Sequence, residues 1–254
     1  MDLSIFENQF EDIEFDDETH SYKVKNATDT LISVTTLIHK YSQPFDSDKI
    51  ASRVAKDRKV DKDELLKSWL DKGESSANKG KHLHKFIEEY CKHQQEFKMD
   101  LYSEEKAQFI KFYNDFLNDK VIIYLEKILY LRSANLAGTI DCLIYSPIND
   151  ILYFIDWKSN EKISTFNKFQ KLKPPLSRYD QCSKEIYTIQ LSLYRYIIEE
   201  VILNKSQGFS SKTQVKNLLI HFSKLNESYV IMELPYYKYS TIELLKHYNN
   251  LKGN

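Results

Sequence analysis

Glycine is scarce: five in 254 residues, at Gly73, Gly80, Gly138, Gly208 and Gly253. A phosphate-cradling loop or a dinucleotide fingerprint needs several glycines close together, so P-loop nucleotidases and Rossmann dehydrogenases are nearly excluded. No run of 18 apolar residues occurs, and no membrane span is expected. Cysteine is limited to Cys91, Cys142 and Cys182, far apart and without a CxxC. Three thiols cannot fill a four-thiolate cluster, and the odd count speaks against a disulfide framework. Buried thiols in a reducing compartment are the plain expectation. The N-terminal MDLSIFENQFEDIEFDD is too acidic for a mitochondrial presequence and lacks a secretory apolar core, so a cytoplasmic or nuclear location is expected.

Aromatic rings are plentiful, with 18 Tyr and 14 Phe. The net charge of −1 hides an asymmetry. Residues 1–30 hold nine acids and two bases, leaving the other 224 residues at +6. A mildly basic body permits a polyanionic partner.

Along the chain, a short strand is expected at His20–Val24 and a turn at Asn26–Asp29. Ser33 suits the cap of a helix over Val34–Tyr41, ended by Pro44. Asp46–Lys59 reads as a charged helix. Asp61 and Glu64 form a capping box for Glu64–Lys72, with Gly73 as its stop. Ser76–Phe97 and Ser103–Asn118 carry apolar residues at helical spacing. At Lys120 the character changes: Val121–Leu131, Ala137–Tyr145 and Ile151–Lys158 are rich in β-branched and aromatic residues, with the turn SPIND between the last two. Residues 159–182 read as a loop, Ser183–Leu203 as a helix, Val215–Ser223 and Tyr229–Leu234 as a hairpin, and Ser240–Leu251 as a helix. The order implies an α/β fold: one central mixed sheet flanked by helices, with an N-terminal helical subdomain. Residues 1–119 would hold the acidic segment and helices, and 120–254 the sheet, in one compact unit.

The segment Gly138–Lys158 carries the chemistry. The chain has four acid-x-Lys triplets, and only that of Asp156 and Lys158 ends an apolar strand. Side chains alternate along a strand, so Asp156 and Lys158 share a face and Trp157 points the other way. Asp141 ends another apolar run on the preceding strand, and the short connection brings it near Asp156. Two carboxylates there stay charged at little cost only beside a cation. Mg²⁺, which favours one or two carboxylates plus waters and phosphate, would supply that charge. The bland alternative is a salt bridge to Lys158 at a sheet edge.

Two weaker clusters accompany it. His84 and Glu88 lie at i, i+4 on one helix face, which would suit a metal shell or an ordinary surface pair. Gln190 and Tyr194 share a face of a later helix, where a core tyrosine and a structural amide are the default.

Taken in order, these pieces resemble the PD-(D/E)XK nuclease superfamily and, within it, the RecB-like branch. The resemblance is greatest to mitochondrial genome maintenance exonucleases and their viral and phage relatives, so a viral source is also compatible. It rests on SVTTLI (Ser33–Ile38), GKHLHKFIE (Gly80–Glu88), YLEKILY…LAGTIDCL (Tyr124–Leu143), FIDWKSNEK (Phe154–Lys162) and IQLSLY (Ile189–Tyr194). FIDWKSNEK and GTIDC are the most specific. The likeness covers roughly residues 30–200 and implies a restriction-endonuclease-like core. It further implies that Asp141 and Asp156 ligate Mg²⁺ or Mn²⁺, joined by the Trp157 carbonyl and His84. Lys158 would orient or help deprotonate the attacking water and offset transition-state charge. Glu88 and Glu126 match acidic positions near the centre. Gln190 would orient the strand or the site, and Tyr194 would support its helix. Two departures stand out: some relatives carry four cysteines for an iron–sulfur cluster, and mitochondrial members have a presequence.

Residues 156–178 sum to +4, with Lys162, Lys168, Lys171, Lys173 and Arg178 beside Phe166 and Phe169. This stretch would suit phosphates and unpaired bases, or it is a solvated loop. The expected activity is a metal-dependent deoxyribonuclease of replication, recombination or repair, an exonuclease on single-stranded DNA or DNA ends. The alternatives are a structure-specific or restriction-like endonuclease and a non-catalytic nucleic-acid-binding module.

Overall fold

Val121–Lys158, where β-branched and aromatic residues crowd, forms three consecutive antiparallel strands in the computed structural model: β4 (Val121–Leu131), β5 (Leu136–Ser146) and β6 (Ile151–Lys158), preceded by three N-terminal strands. The structure describes residues 1–16, 21–25, 30–93, 101–204 and 212–252; the turn expected at Asn26–Asp29 lies outside them. Downstream, β7 (Gln214–His221) runs parallel to β6, and β8 (Val230–Leu234) returns antiparallel to β7. The parallel crossover from β6 to β7 passes through helix α5 (Ser183–Ile198), which continues into a π-helical turn at Glu199–Leu203.

The acidic N-terminus contributes more strand than its composition suggests. β1 (Ile13–Asp16) and β2 (Ser21–Val24) pair antiparallel, β2 pairs with β3 (Thr30–Ser33), and β3 joins β5 in parallel at Ile32–Leu136 and Ser33–Ala137. Among the described residues, the result is one mixed eight-stranded sheet to which both halves of the chain contribute. The N-terminal region is therefore not purely helical. In β1 the acids Glu14 and Asp16 alternate with Ile13 and Phe15, a period of two that four residues are too few to announce.

Ser33 caps α1 (Val34–Lys40), its Oγ accepting from the Thr36 N–H at 2.9 Å. Asp46 does the same for α2 (Ser47–Arg58) through the Lys49 N–H. Asp61 accepts from the N–H groups of Asp63 and Glu64, which is the N-cap half of the expected capping box. The helix it starts does not stop at Gly73, however. α3 (Lys62–His93) runs unbroken through both Gly73 and Gly80 for 32 residues. A mid-helix glycine costs about 1 kcal/mol relative to alanine but removes no hydrogen bond, and the neighbouring Lys, Glu and Ala residues tolerate a helix well. Its downstream half is anchored by buried Leu83, Phe86 and Ile87.

Alternation along the strands sorts the two layers. Leu152 and Phe154 of β6 face the core under α1, α5 and α6 (Lys238–Lys252). Tyr153, Ile155 and Trp157 face the opposite core, beneath α3 and α4 (Ser103–Phe112). The 159–182 segment has no helix or strand, only an isolated bridge between Lys171 and Asp180. It is nonetheless packed down: Leu172 and Leu176 are buried, and Tyr179 stacks on Tyr237 at 4.4 Å between centroids. Among the described residues, no helix is long and apolar enough to cross a membrane.

Candidate metal and catalytic centre

The centre forms where β5 and β6 part. β4 lines one edge of β5 along its length. The other edge is shared, with β3 pairing at Leu136 and Ala137 and β6 pairing only from Cys142 onward. Residues 138–141 of β5 thus pair with neither, and a gap opens between the strands. Asp141 stands at its apex. The Trp157 N–H, two residues past the last position of β6 that pairs with β5, donates to Asp141 Oδ2 at 2.8 Å instead of to a strand carbonyl. The Phe222 N–H donates to the Lys158 carbonyl, so Lys158 turns its backbone groups toward β7. By alternation, the Trp157 carbonyl turns with its N–H toward the gap.

The expected strand geometry holds. Asp156 and Lys158 share the α5 face, and the Trp157 ring lies in the opposite core against Phe109 and Phe112. Asp156 is 1% exposed and Asp141 6%. Gln190 of α5 donates to Asp156 Oδ1 at 2.9 Å. Lys158 Nζ lies 2.6 Å from Asp156 Oδ2 as a buried ion pair, and among the described residues this oxygen has no other partner. The Lys158 ammonium also sits 4.9 Å over the Tyr187 ring.

Gly138 explains why GxxD and QxxxY occur together. A Cβ at Gly138 would lie 2.8 Å from Tyr194 Cε1 and 3.2 Å from its hydroxyl, closer than side chains pack. Glycine lets the buried Tyr194 ring rest against β5. That contact brings α5 near enough for Gln190, one turn earlier, to reach Asp156.

The remaining pieces come from the second layer. His84 of α3 reaches the kinked edge of β4, where Nδ1 lies 3.0 Å from Glu126 Oε1 and Nε2 lies 3.9 Å from Asp141 Oδ2. Glu126 has φ 48°, a left-handed backbone that is unusual for a glutamate in a strand. The unpaired position falls opposite Asp141, between the pairs Leu125–Cys142 and Lys127–Ile140. Local strain here turns a carboxylate onto the histidine. An ionised Glu126 can only accept, so it fixes the proton on Nδ1 and leaves Nε2 facing Asp141. Ligand atoms of His84, Glu126 and Asp141 all lie within 4.8 Å of one another.

The electrostatics describe a centre short of positive charge. Burial raises the Asp156 carboxyl, Lys158 pulls it down, and Asp141 pushes it up again, leaving it at about 7. Burial likewise raises Asp141, against the opposing pull of His84 and Lys158. Burial disfavours the His84 imidazolium, but Asp141 and Glu126 outweigh it and bring His84 to about 9. Burial also disfavours the Lys158 ammonium, yet Asp156 and Asp141 more than compensate and hold it above the usual lysine range.

Asp141, Asp156, Lys158, His84, Gln190 and Glu126 are thus brought together, with Tyr194 behind them. Glu88 is engaged elsewhere: its Oε1 accepts from Lys92 Nζ at 2.5 Å, one turn along α3. Three of the loop cations are also engaged. Lys171 faces Asp180 at 3.7 Å, Lys173 Nζ donates to the Lys40 carbonyl at 3.3 Å, and Arg178 Nη2 pairs with Glu243 at 2.5 Å. Tyr187 and Asn160, joined by a 3.0 Å hydrogen bond, were not marked by the sequence. A polar pair, Glu126-Lys127, inside the otherwise apolar β4 was the available sign that Glu126 faces something charged.

No protein-family model and no curated protein matches the chain. Among solved structures it is similar to one described as "Crystal structure of SSO0001", with 14% sequence identity, 91% of this chain and 80% of that chain covered, and a TM-score of 0.37. So low a TM-score carries no argument about function.

Proposed function

We propose that this protein is a divalent-metal-dependent deoxyribonuclease with a restriction-endonuclease-like core, acting as an exonuclease on single-stranded DNA or DNA ends. The observation that carries the reading is the meeting of two buried carboxylates, Asp141 and Asp156, at a strand gap with one lysine and one histidine. Asp156 Oδ2, whose one partner among the described residues is the Lys158 ammonium, fits a cation ligand, as does the oxygen-and-imidazole donor set for a hard or borderline metal. Asp141, Asp156, the Trp157 carbonyl and His84 Nε2 would hold Mg²⁺ or Mn²⁺. When bound, the ion acidifies a water and neutralises phosphate charge.

The chain's own residues do the rest. Gln190 fixes Asp156 through Oδ1, while Oδ2 faces the Lys158 ammonium. The Trp157 N–H fixes Asp141 in the same way. Glu126 orients the His84 ring. Lys158, held as an ammonium by the two aspartates, offers a mobile cation to the phosphate oxygens as charge builds on them. Water attacks phosphorus and gives up one proton to solvent, the bond to the leaving sugar oxygen breaks, and that oxygen takes a proton from solvent. No serine or cysteine nucleophile is needed.

Linear and covalently closed single-stranded DNA, incubated in parallel with Mg²⁺, test the reading. Nucleotides released from the linear form alone support an exonuclease. Cutting of closed circles moves the assignment to an endonuclease, and intact DNA in both tubes overturns the nuclease reading.

A further inference from the structure

A cleft of about 700 Å³ opens beside the centre, between α3, the start of α4 and the turn that follows β6. Ser159, Asn160 and Lys162 line it, so it begins one residue past Lys158. Asn160 also ties it to the centre by accepting from Tyr187, whose ring lies under the Lys158 ammonium. Its other cations are Lys72 and Lys79 from α3 and Lys224 from the β7–β8 connection. Lys79 is paired with Glu105, which also accepts from the Lys224 backbone N–H. Among the described residues, the ammonium groups of Lys72, Lys162 and Lys224 have no ion-pair or hydrogen-bond partner. These three face two acids on the same wall, Glu104 and Glu161.

We propose that this cleft seats the backbone of a single nucleic-acid strand leading into the Asp141–Asp156 centre, an inference that rests on the hydrolase reading above. Its volume lies in the range of ligand sites, and its wall sets four lysines, four serines and an asparagine against three glutamates, one of them already paired with Lys79, so the unpaired lysines remain for phosphates. Tyr102 supplies an aromatic ring on the same wall. Free lysines along a groove with an aromatic platform are the chemistry of an unpaired strand: the cations track phosphates and the ring stacks on a base. The 171–178 stretch presents a contrast, because Lys171, Lys173 and Arg178 are already bound to the protein. The strand's path thus follows α3 and the 159–162 turn instead of running over that loop.

The test is fluorescence anisotropy of a labelled oligothymidylate in Ca²⁺, at several salt concentrations. The substitutions Lys72→Gln, Lys162→Gln and Lys224→Gln, made together on exposed lysines, should flatten the slope of log affinity against log salt by roughly 2, about 0.7 for each phosphate that is no longer neutralised. Tyr102→Ala should weaken binding about tenfold with little change in slope, the scale of removing one base stack. If the triple variant melts differently from wild type, Lys162→Gln alone should still flatten the slope by roughly 0.7. An unchanged slope in the cleft variants, with flattening in Lys168→Gln/Lys171→Gln/Lys173→Gln, overturns the inference. If wild type cuts DNA while the cleft variants bind like wild type, the cleft falls and the nuclease reading stands. A wild type that neither binds nor cuts any strand defeats both.

Discussion

Two buried acidic clusters in this molecule use the same ingredients and reach opposite results. Glu199, at the end of α5, is surrounded by donors: Arg195 Nε at 2.8 Å, Lys238 Nζ at 3.2 Å and the Tyr236 hydroxyl at 2.9 Å. One carboxylate thus meets two cations and a phenol, and both of its oxygens are satisfied. Asp141, Asp156 and Glu126 present three carboxylates to one lysine and one histidine. The first arrangement is closed and needs nothing more. The second carries more negative charge than its neighbours answer, and a divalent cation would complete it.

Substitutions should separate the two clusters. Asp141→Ala, Asp156→Ala and Lys158→Ala should each slow DNA hydrolysis by at least about 100-fold. The two aspartate variants should keep the fold, because losing one of two crowded acids relieves repulsion, whereas Lys158→Ala should lower stability by leaving both acids without their lysine. Glu199→Ala should leave hydrolysis near wild type and cost roughly 2–3 kcal/mol of stability in denaturant unfolding. That is less than for a fully buried pair, because Lys238 stays nearly half exposed. A near wild-type rate in any of the first three would remove that residue from the catalytic set.

Metal and pH sharpen the same contrast. Mg²⁺ or Mn²⁺ should raise the melting temperature of wild type, EDTA should reverse this, and Asp156→Ala should abolish it. Asp156 at about 7 and His84 at about 9 both hold protons that the unfolded chain has released. The stability Asp156 contributes is present at acid pH and is lost as pH rises from about 4 through 7. For His84 it is full below about 6.5 and lost through about 9. The metal-free protein should therefore weaken over this window, and the melting-temperature gain from metal should grow with pH, since ligation needs both groups deprotonated. A metal gain that shrinks with rising pH would contradict this ordering.

Smaller effects probe the histidine. His84→Ala should raise the metal concentration needed for half-maximal activity. Glu126→Gln should raise it less, because the amide still offers an acceptor to Nδ1. Above about pH 9, where the His84 ring is neutral, its nitrogen chemical shifts should report a proton on Nδ1 in wild type and a mixed tautomer in Glu126→Gln. An unchanged metal titration in His84→Ala would leave His84 as a helix-surface residue.

What the sequence revealed and what it hid have physical causes. The β5–β6 hairpin was legible because two apolar runs flank a short polar turn, and a period of two then puts Asp156 and Lys158 on one face. Helix starts were legible because Ser33, Asp46 and Asp61 act locally. The run of α3 through Gly73 was not, because a glycine weakens a helix without ending it. β1 and β3 were hidden by their shortness, and β3 links the N-terminal strands to the main sheet by pairing with β5, far along the chain. The gap beside residues 138–141 is set by where β3 ends and where β6 stops pairing with β5, which no local pattern encodes. Likewise the Gly138–Tyr194 contact and the turned backbone of Glu126 exist only after the layers meet. Charge counting marked residues 159–182 as a phosphate track but could not show that Lys171 and Arg178 answer Asp180 and Glu243.

The central claim is that the open acidic cluster hydrolyses phosphodiester bonds with a divalent ion. End-labelled single-stranded and double-stranded DNA, incubated with wild type and Asp156→Ala in Mg²⁺, Mn²⁺ or EDTA, test it most directly. The account predicts cleavage by wild type with either metal, none in EDTA, and a loss of at least about 100-fold in Asp156→Ala. Cleavage that persists in EDTA or in Asp156→Ala, or no cleavage by wild type under any condition, would contradict it.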